Sequence, residues 1–279
     1  MKNPNRIRKT AEDYAVNVIC IVFGVLLALA CIYPIYYTLI NSLNEGTDAA
    51  KGGIYLWPRV FSLKNYEVVF RDNDLPLSFL LTVVRTLLGT VLALVYTTAV
   101  SYALSRRELI GRKFYLMTGM VTMYISGGVI PTYMLYRSLG LINSFWVYIL
   151  PSMYSFGNAI LMLNFFKKLP VSLIESAKLD GAGEWQIFWR ICMPQCRAAL
   201  YSIAILVFID YWNMVEQPLI LLPDASQQPL SVYLSQINAG EIGIAFAAAV
   251  VYMIPGLLLF LHGEAYLVEG IAYSGSVKG

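Results

Sequence analysis

Charge is what this sequence has least of: Asp, Glu, Lys and Arg supply 13% of its 279 residues, where an ordinary soluble domain carries about a quarter. With 58% hydrophobic residues and a mean hydropathy of +0.62, a water-soluble globule is excluded and an all-α integral membrane protein is expected. Histidine is nearly missing. The one present, His262, falls at the inner end of the last apolar run, so no histidine or carboxylate cluster with catalytic spacing exists. Cysteine is sparse too: Cys20, Cys31, Cys192 and Cys196 suggest no disulfide, and Cys192 with Cys196 lacks the nearby histidine a metal site would need. No G-x-x-x-x-G-K-[ST] occurs, so the chain has no phosphate-cradling loop of its own. Internal repeats, low-complexity tracts and Pro/Ser-rich linkers are absent as well.

What is present is long apolar sequence. Runs at roughly 14–40, 77–104, 114–135, 145–165, 198–222 and 242–263 are each long enough to cross about 30 Å of hydrocarbon, which predicts six transmembrane helices. The first exceeds the roughly 7–15 residues of a signal-peptide core and is read as a retained span. Residues 41–76 read as an ordered external loop with a short interfacial helix over 63–70. Pro131, Pro151 and Pro255 are expected to bend the spans they sit in or beside. With the N-terminus inside, fourteen of the 20 basic residues fall on the inner side, Lys2, Arg6, Arg8, Lys9 and Lys278 among them, and five on the outer side. The positive-inside rule favours that orientation, whereas the net charge of +3 says little by itself.

One polar stretch, 170–194, interrupts the apolar pattern with Glu175, Lys178, Asp180, Glu184 and Arg190. Spanning lipid with so many charges would cost many kcal/mol, so the stretch lies outside the hydrocarbon, on the cytoplasmic side. Ser172 and Glu175 have the spacing of a capping box, Asp180-Gly181 predicts a turn, and Trp185, Phe188, Trp189 and Cys192 fall on one face of a second helix. Pro194 marks its end. Two short helices bent around a glycine suit docking into a groove on another protein. An ordinary surface loop with its aromatics in the headgroup layer has the same pattern.

Glu175, Ala177, Asp180, Gly181, Ala182, Phe188, Ile191 and Pro194 resemble, at every spacing, the cytoplasmic EAA signature of ABC importer permeases; Ser176 stands where alanine is usual. The resemblance extends over nearly the whole chain, through Asn41-Ser42-Leu43, Tyr102-Ala103-Leu104-Ser105-Arg106, Ile130-Pro131-Thr132-Tyr133 and Ser138 to Ser144, and is to carbohydrate-type permeases of the maltose-permease kind. The fifth span departs from the usual W-N-D-W-F wording, reading Trp212-Asn213-Met214-Val215-Glu216. The resemblance implies an ABC importer type I permease fold with a cytoplasmic coupling helix in a bacterial cell membrane, both termini inside. It divides the chain into a tail, first helix and external loop at 1–76, a five-helix permease domain at 77–266 and a C-terminal tail at 267–279. It further implies a second homologous permease subunit, two ATPase subunits that hold the ATP and magnesium, an external solute-binding protein reached through the 223–241 loop, and a carbohydrate, an oligosaccharide, as solute. The permease itself then holds no cofactor, metal or nucleic acid and is no enzyme. The nine signature positions, Ser176 included, become the ATPase-coupling residues.

Arg85, Asp210 and Glu216 are ionisable side chains within spans. A charge at that depth costs about 2.5–3.5 kcal/mol on insertion scales, so it faces a cavity or a partner. Arg85 is expected to pair with Asp210 or Glu216 in the outer half of a translocation path. Tyr124, Tyr133, Trp212 and Asn213 are the candidates for stacking on and hydrogen bonding a sugar there. An ion-gradient-driven secondary transporter is the competing class; it calls for mirrored half-repeats or paired broken helices around an ion site, and the sequence shows neither clearly.

Overall fold

The computed structural model describes residues 11–71, 74–224, 228–236 and 241–275. Lys2, Arg6, Arg8, Lys9 and Lys278, with parts of the 223–241 loop and of the 267–279 tail, lie outside the described residues. Among the described residues all regular structure is helical, and a single isolated bridge joins Asn44 to Phe61. The chain forms two compact units, Met1–Arg71 with Ile237–Val251 and Asp72–Gln236 with Tyr252–Gly279.

In the first unit, α1 (Ala11–Ser42) is apolar on all sides, and none of its spanning window is buried within the chain. A helix without a polar face that is also uncovered has lipid or a partner as its surroundings. Its last turn ends in a polar knot. Asn41 Nδ2 donates to the Ile54 carbonyl at 3.3 Å, Ser42 Oγ meets the Tyr66 hydroxyl at 2.7 Å, and Asn65 Nδ2 donates to the carbonyls of Ser42 and Asn44 at 3.1 and 2.7 Å. Asn65 sits on α2 (Lys64–Arg71), the short helix expected from sequence over 63–70. Arg59 clasps the same loop, bonding Asp48 Oδ2 at 2.9 Å and the Gly52 carbonyl at 2.7 Å. Residues 41–71 are therefore held by side-chain bonds to backbone groups that no helix or sheet could satisfy.

The second unit is built on α3 (Asp74–Ser105), α4 (Arg112–Tyr124), α5 (Val129–Ser138), α6 (Phe156–Lys168), α7 (Val171–Leu179), α8 (Arg197–Trp212), α9 (Glu216–Leu221) and α10 (Leu230–Gln236). The last helix, α11 (Ile242–Gly275), contributes to both units. Close approach is bought with small residues. A Cβ on Gly89 of α3 would come within 2.5 Å of the Tyr211 ring, and one on Gly119 of α4 within 2.1 Å of the Phe156 ring. Some buried hydroxyls of α3 reach other helices: Ser101 Oγ donates to the carbonyls of Thr97 and Ala159 at 2.6 and 2.9 Å, and Thr82 Oγ1 accepts from the Leu230 amide at 3.0 Å, whereas those of Thr86 and Thr90 have no partner among the described residues.

Among the described residues three helices are long and apolar enough to cross a membrane, rising to five if each bent pair counts as one span. The 114–135 and 198–222 runs, each read from sequence as one span with a bend expected at Pro131 in the former, are each two helices here. The former is α4 and α5, bent by 119°, and the break falls at Ser126-Gly127-Gly128, where Gly128 has φ +79°. Pro131 does not make the bend; it occupies the first turn of α5, where a missing amide hydrogen costs nothing. The latter run breaks after Trp212, and Pro218 likewise sits in the first turn of α9.

Candidate functional site

The elbow begins with α7, whose N-cap is Pro170. The expected capping box is absent: Ser172 already lies inside the first turn, and no side chain caps the helix. The other end is closed as the sequence predicts. Gly181 takes φ +82°, its amide bonds the Lys178 carbonyl at 3.0 Å, and the Ala182 amide reaches back to the Ala177 carbonyl at 2.9 Å. Those two bonds define a Schellman closure, which needs glycine at its left-handed position and tolerates small residues at its ends. The spacing of Ala177, Gly181 and Ala182 thus has a local mechanical cause.

Beyond the turn the backbone is helical over Glu184–Ile187, widens to a π turn over Phe188–Cys192 and ends at Gln195, from which α8 departs at 82°. The single aromatic face expected there is split. Phe188 and Cys192 are buried, while Trp185 and Trp189 stay exposed, because the wider turn rotates one pair away from the other. Ile174, Ala177, Ile187 and Phe188 pack into the same core as Met162, Phe166 and Ile203 of the apolar helices. At the tip, Leu179 and Trp185 are 89% and 70% exposed. Glu175, Ser176, Asp180, Gly181 and Pro194 are exposed, with Ala182 and Ile191 half-buried.

A polar clamp joins the elbow to the end of α3. Glu184 accepts from the Tyr102 hydroxyl at 2.8 Å and from Lys178 Nζ at 2.7 Å, and lies 3.9 Å from Arg106 Nε. The Lys178 hydrogen bond, ahead of those from Tyr102 and the charge of Arg106, holds the Glu184 carboxyl below the usual carboxylate range. Arg106 donates to the Tyr102 hydroxyl and lies over its ring. Exposed ion pairs contribute only about 0.2–1 kcal/mol each. The Tyr102 ring, 4.8 Å from that of Phe188 and 5.7 Å from that of Phe166, adds about 0.5–1.5 kcal/mol per pair beyond burial. The aromatics supply the grip and the charges set its register.

A cavity of about 380 Å³ opens among α3, α6, α8 and α9, lined by Asp210 and Glu216 together with Ser152, Asn158, Tyr154 and Gln217. A second, of about 230 Å³, shares Glu216 and Gln217 and is lined by Tyr133. The helix break after Trp212 is what turns Glu216 and Gln217 toward both. Asn158, Gln217 and Ser152, whose Oγ lies 3.3 Å from Gln217 Oε1, were not singled out from sequence. A polar side chain inside an apolar run was the available signal. Tyr124, 87% exposed, lines neither cavity. Trp212 is buried, its ring 5.6 Å from that of Phe208 and its Nε1 donating to the Tyr252 carbonyl at 3.1 Å. Asn213 accepts from the Tyr252 hydroxyl at 3.1 Å.

Arg85 does not pair with Asp210 or Glu216; among the described residues no carboxylate lies within ion-pair distance of it. The side chain is 0% exposed. Its Nη2 donates to the carbonyls of Trp212 and Met214, both at 3.2 Å, and to Ser231 Oγ at 3.4 Å, and the guanidinium lies 5.1 Å from the Tyr148 ring centre. The broken helix explains the preference. Where α8 stops, its last carbonyls lose their partners and carry the negative end of the helix dipole, so a cation is stabilised there without a carboxylate.

Broken apolar helices surround a polar cavity and pack against the elbow, an arrangement that suits a membrane-embedded subunit of a transport system. The chain belongs to the family of binding-protein-dependent transport system inner membrane components, whose model matches residues 74–266. It is 34% identical, over 93% of its length and 97% of the relative's, to the polygalacturonan/rhamnogalacturonan transport system permease protein YtcP of Bacillus subtilis. It is 27% identical to the arabinooligosaccharides transport system permease protein AraQ of the same organism, over 98% of this chain and all of that one. Among solved structures it is similar to a chain of a bacterial ABC transporter involved in the import of the acidic polysaccharide alginate, at TM-score 0.87 and 27% identity, covering 93% of this chain and 99% of that one.

Proposed function

We propose that this chain is one of two permease subunits of an ATP-driven importer that takes oligosaccharides from an external binding protein. The observation that carries the reading is the elbow: Ile174, Ala177 and Phe188 fix it in the core of the apolar helices, while Leu179 and Trp185 stand free at its tip. A part so built transmits a push rather than absorbing it. Two partner ATPase subunits, which hold the ATP and magnesium, receive that tip through Glu175 to Pro194. Six crossings result when α1, α3, α4 with α5, the 146–168 region, α8 with α9, and α11 each count once, with both termini in the cytoplasm. The related permeases named for polygalacturonan and arabinooligosaccharides support a carbohydrate solute. Asp210, Glu216, Gln217, Asn158 and Tyr133 then line this subunit's half of the path, offering carboxylate, amide and aromatic partners to sugar hydroxyls.

The test is copurification of the importer from membranes with a tagged ATPase subunit. Wild-type chain is expected to come down with it, and Gly181→Val to be lost while still inserting in the membrane. Retention of Gly181→Val at wild-type levels would remove the elbow from the ATPase contact. Import of amino acids or ions by the intact complex, with no carbohydrate uptake, would remove the solute assignment.

A further inference from the structure

A third cavity, of about 430 Å³, belongs to neither the elbow's tip nor the translocation path. It lies where α3, α4, α6 and α7 end or begin, and four cations line it, Arg106, Arg107, Arg112 and Lys167, against one acid, Glu108. Its volume is within the range of about 300–1,000 Å³ typical of small-molecule pockets. Arg112 is held in place, its Nε donating to the Leu104 carbonyl at 2.7 Å. Arg106 is held by Tyr102 and Glu184. Arg107 and Lys167 have neither a hydrogen bond nor an ion pair among the described residues, so the positive charge in the pocket is not neutralised by the chain itself. Two helices also begin at its wall, α4 at Arg112 and α7 at Val171, and neither N-terminus is capped by a side chain. Uncapped amide hydrogens and uncompensated cations around one concavity both favour an anion.

We propose that this cavity binds the phosphate of an anionic phospholipid headgroup. Leu169 and Ile174 give the pocket an apolar wall beside the cations, which suits the glycerol and first methylenes of a lipid and not a freely hydrated ion. The site lies at the ends of apolar, membrane-crossing helices, within reach of headgroups, and basic pockets in such places hold phosphate-bearing lipids. The phosphate engages Arg107 and Lys167, with Arg112 as the fixed third donor. A bound lipid would bridge the 106–113 connection to the start of the elbow at Val171.

The test uses the assembled importer in nanodiscs, titrated with phosphatidylglycerol against a phosphatidylcholine background, with bound lipid counted by native mass spectrometry. Wild type is expected to retain phosphatidylglycerol selectively. Arg107→Gln with Lys167→Gln removes two surface cations without cutting any bond within the chain, and should weaken that affinity by about 20- to 30-fold, each charge being worth about fivefold. Arg107→Lys with Lys167→Arg, which keeps both charges, should restore most of it. Unchanged phosphatidylglycerol binding in the Gln pair would overturn the proposal, as would equal retention of phosphatidylcholine. Binding of inorganic phosphate without any retained lipid would make the pocket a soluble-anion site and reject the lipid assignment. Protection of Arg107→Cys from a thiol reagent only when the ATPase is present would assign the pocket to that partner instead.

Discussion

Arg85 offers the sharpest test of how the translocation cavity is held. Replacing it with Met keeps much of the buried volume and removes the charge. On the loss side are the hydrogen bonds from one charged nitrogen to the carbonyls of Trp212 and Met214, each worth about 1.5–3 kcal/mol for a charged donor. Neither carbonyl is left bare, since the Tyr252 hydroxyl donates to Trp212 at 2.6 Å and Ser231 Oγ to Met214 at 2.7 Å. On the gain side, a charge no longer sits at bilayer depth, a relief of about 2.5–3.5 kcal/mol. The two bonds total about 3–6 kcal/mol, leaving a net cost of about 0.5–2.5 kcal/mol, so Arg85→Met should assemble and melt modestly below wild type. What it loses is the restraint on the break between α8 and α9. Freeing even one of these bonds, about 1.5–3 kcal/mol, lets other arrangements of Glu216 and Gln217 compete by about 10- to 150-fold. Uptake into proteoliposomes, driven by purified binding protein, should show maximal turnover reduced about tenfold or more with little change in the concentration of binding protein giving half-maximal rate. Arg85→Lys, which keeps a cation at the carbonyls, should recover part of the rate. Wild-type turnover in Arg85→Met would refute the argument, and so would a loss fully accounted for by failed assembly.

Other outcomes follow from the same contacts. Gly119→Ala drives a methyl into the Phe156 ring, 2.1 Å away, and is expected to cost about 1–3 kcal/mol; adding Phe156→Leu should return much of the lost melting temperature. Gly181→Ala puts a Cβ on a residue at φ +82°, costing about 1–2 kcal/mol, and should lower transport-coupled ATP hydrolysis more than it lowers complex yield. Glu184→Gln removes two ion pairs worth about 0.2–1 kcal/mol each, whereas Phe188→Ala empties a buried site at about 3–5 kcal/mol, so thermal unfolding should rank the aromatic above the charge. Because the Glu184 carboxyl is held low, its contribution is fully present above the ordinary carboxylate pKa of about 4.3 and fades as pH falls through its depressed value. Trp185 fluorescence should therefore be flat through neutral pH and change only in acid, a change absent in Glu184→Gln.

Much of this architecture was legible because lipid is an unforgiving solvent. Long apolar runs read as membrane helices, of which three to five among the described residues are long and apolar enough to cross, and Gly181 closes α7 as glycine at that offset should. Less legible were features set by packing. A run such as 114–135 is apolar from end to end, so its composition looks the same whether the helix is straight or bent by 119° at Gly127-Gly128. The capping box at Ser172 was a correct local option that lost when Pro170 started the helix two residues earlier.

The sequence by itself determined the solvent each segment meets and the turn that shapes the elbow, since those follow from transfer free energy and from backbone sterics of a few neighbouring residues. Which polar groups meet across the core was decided only by the tertiary structure. Arg85 and Asp210 have opposite charges and similar depth, and the sequence offered Asp210 or Glu216 as a partner for the arginine. The break after Trp212 places carbonyls without helical partners where the guanidinium can reach them, leaving Asp210 to line the cavity. No pattern of residue types reports where a helix runs out of partners for its last carbonyls until the neighbouring helices are in place.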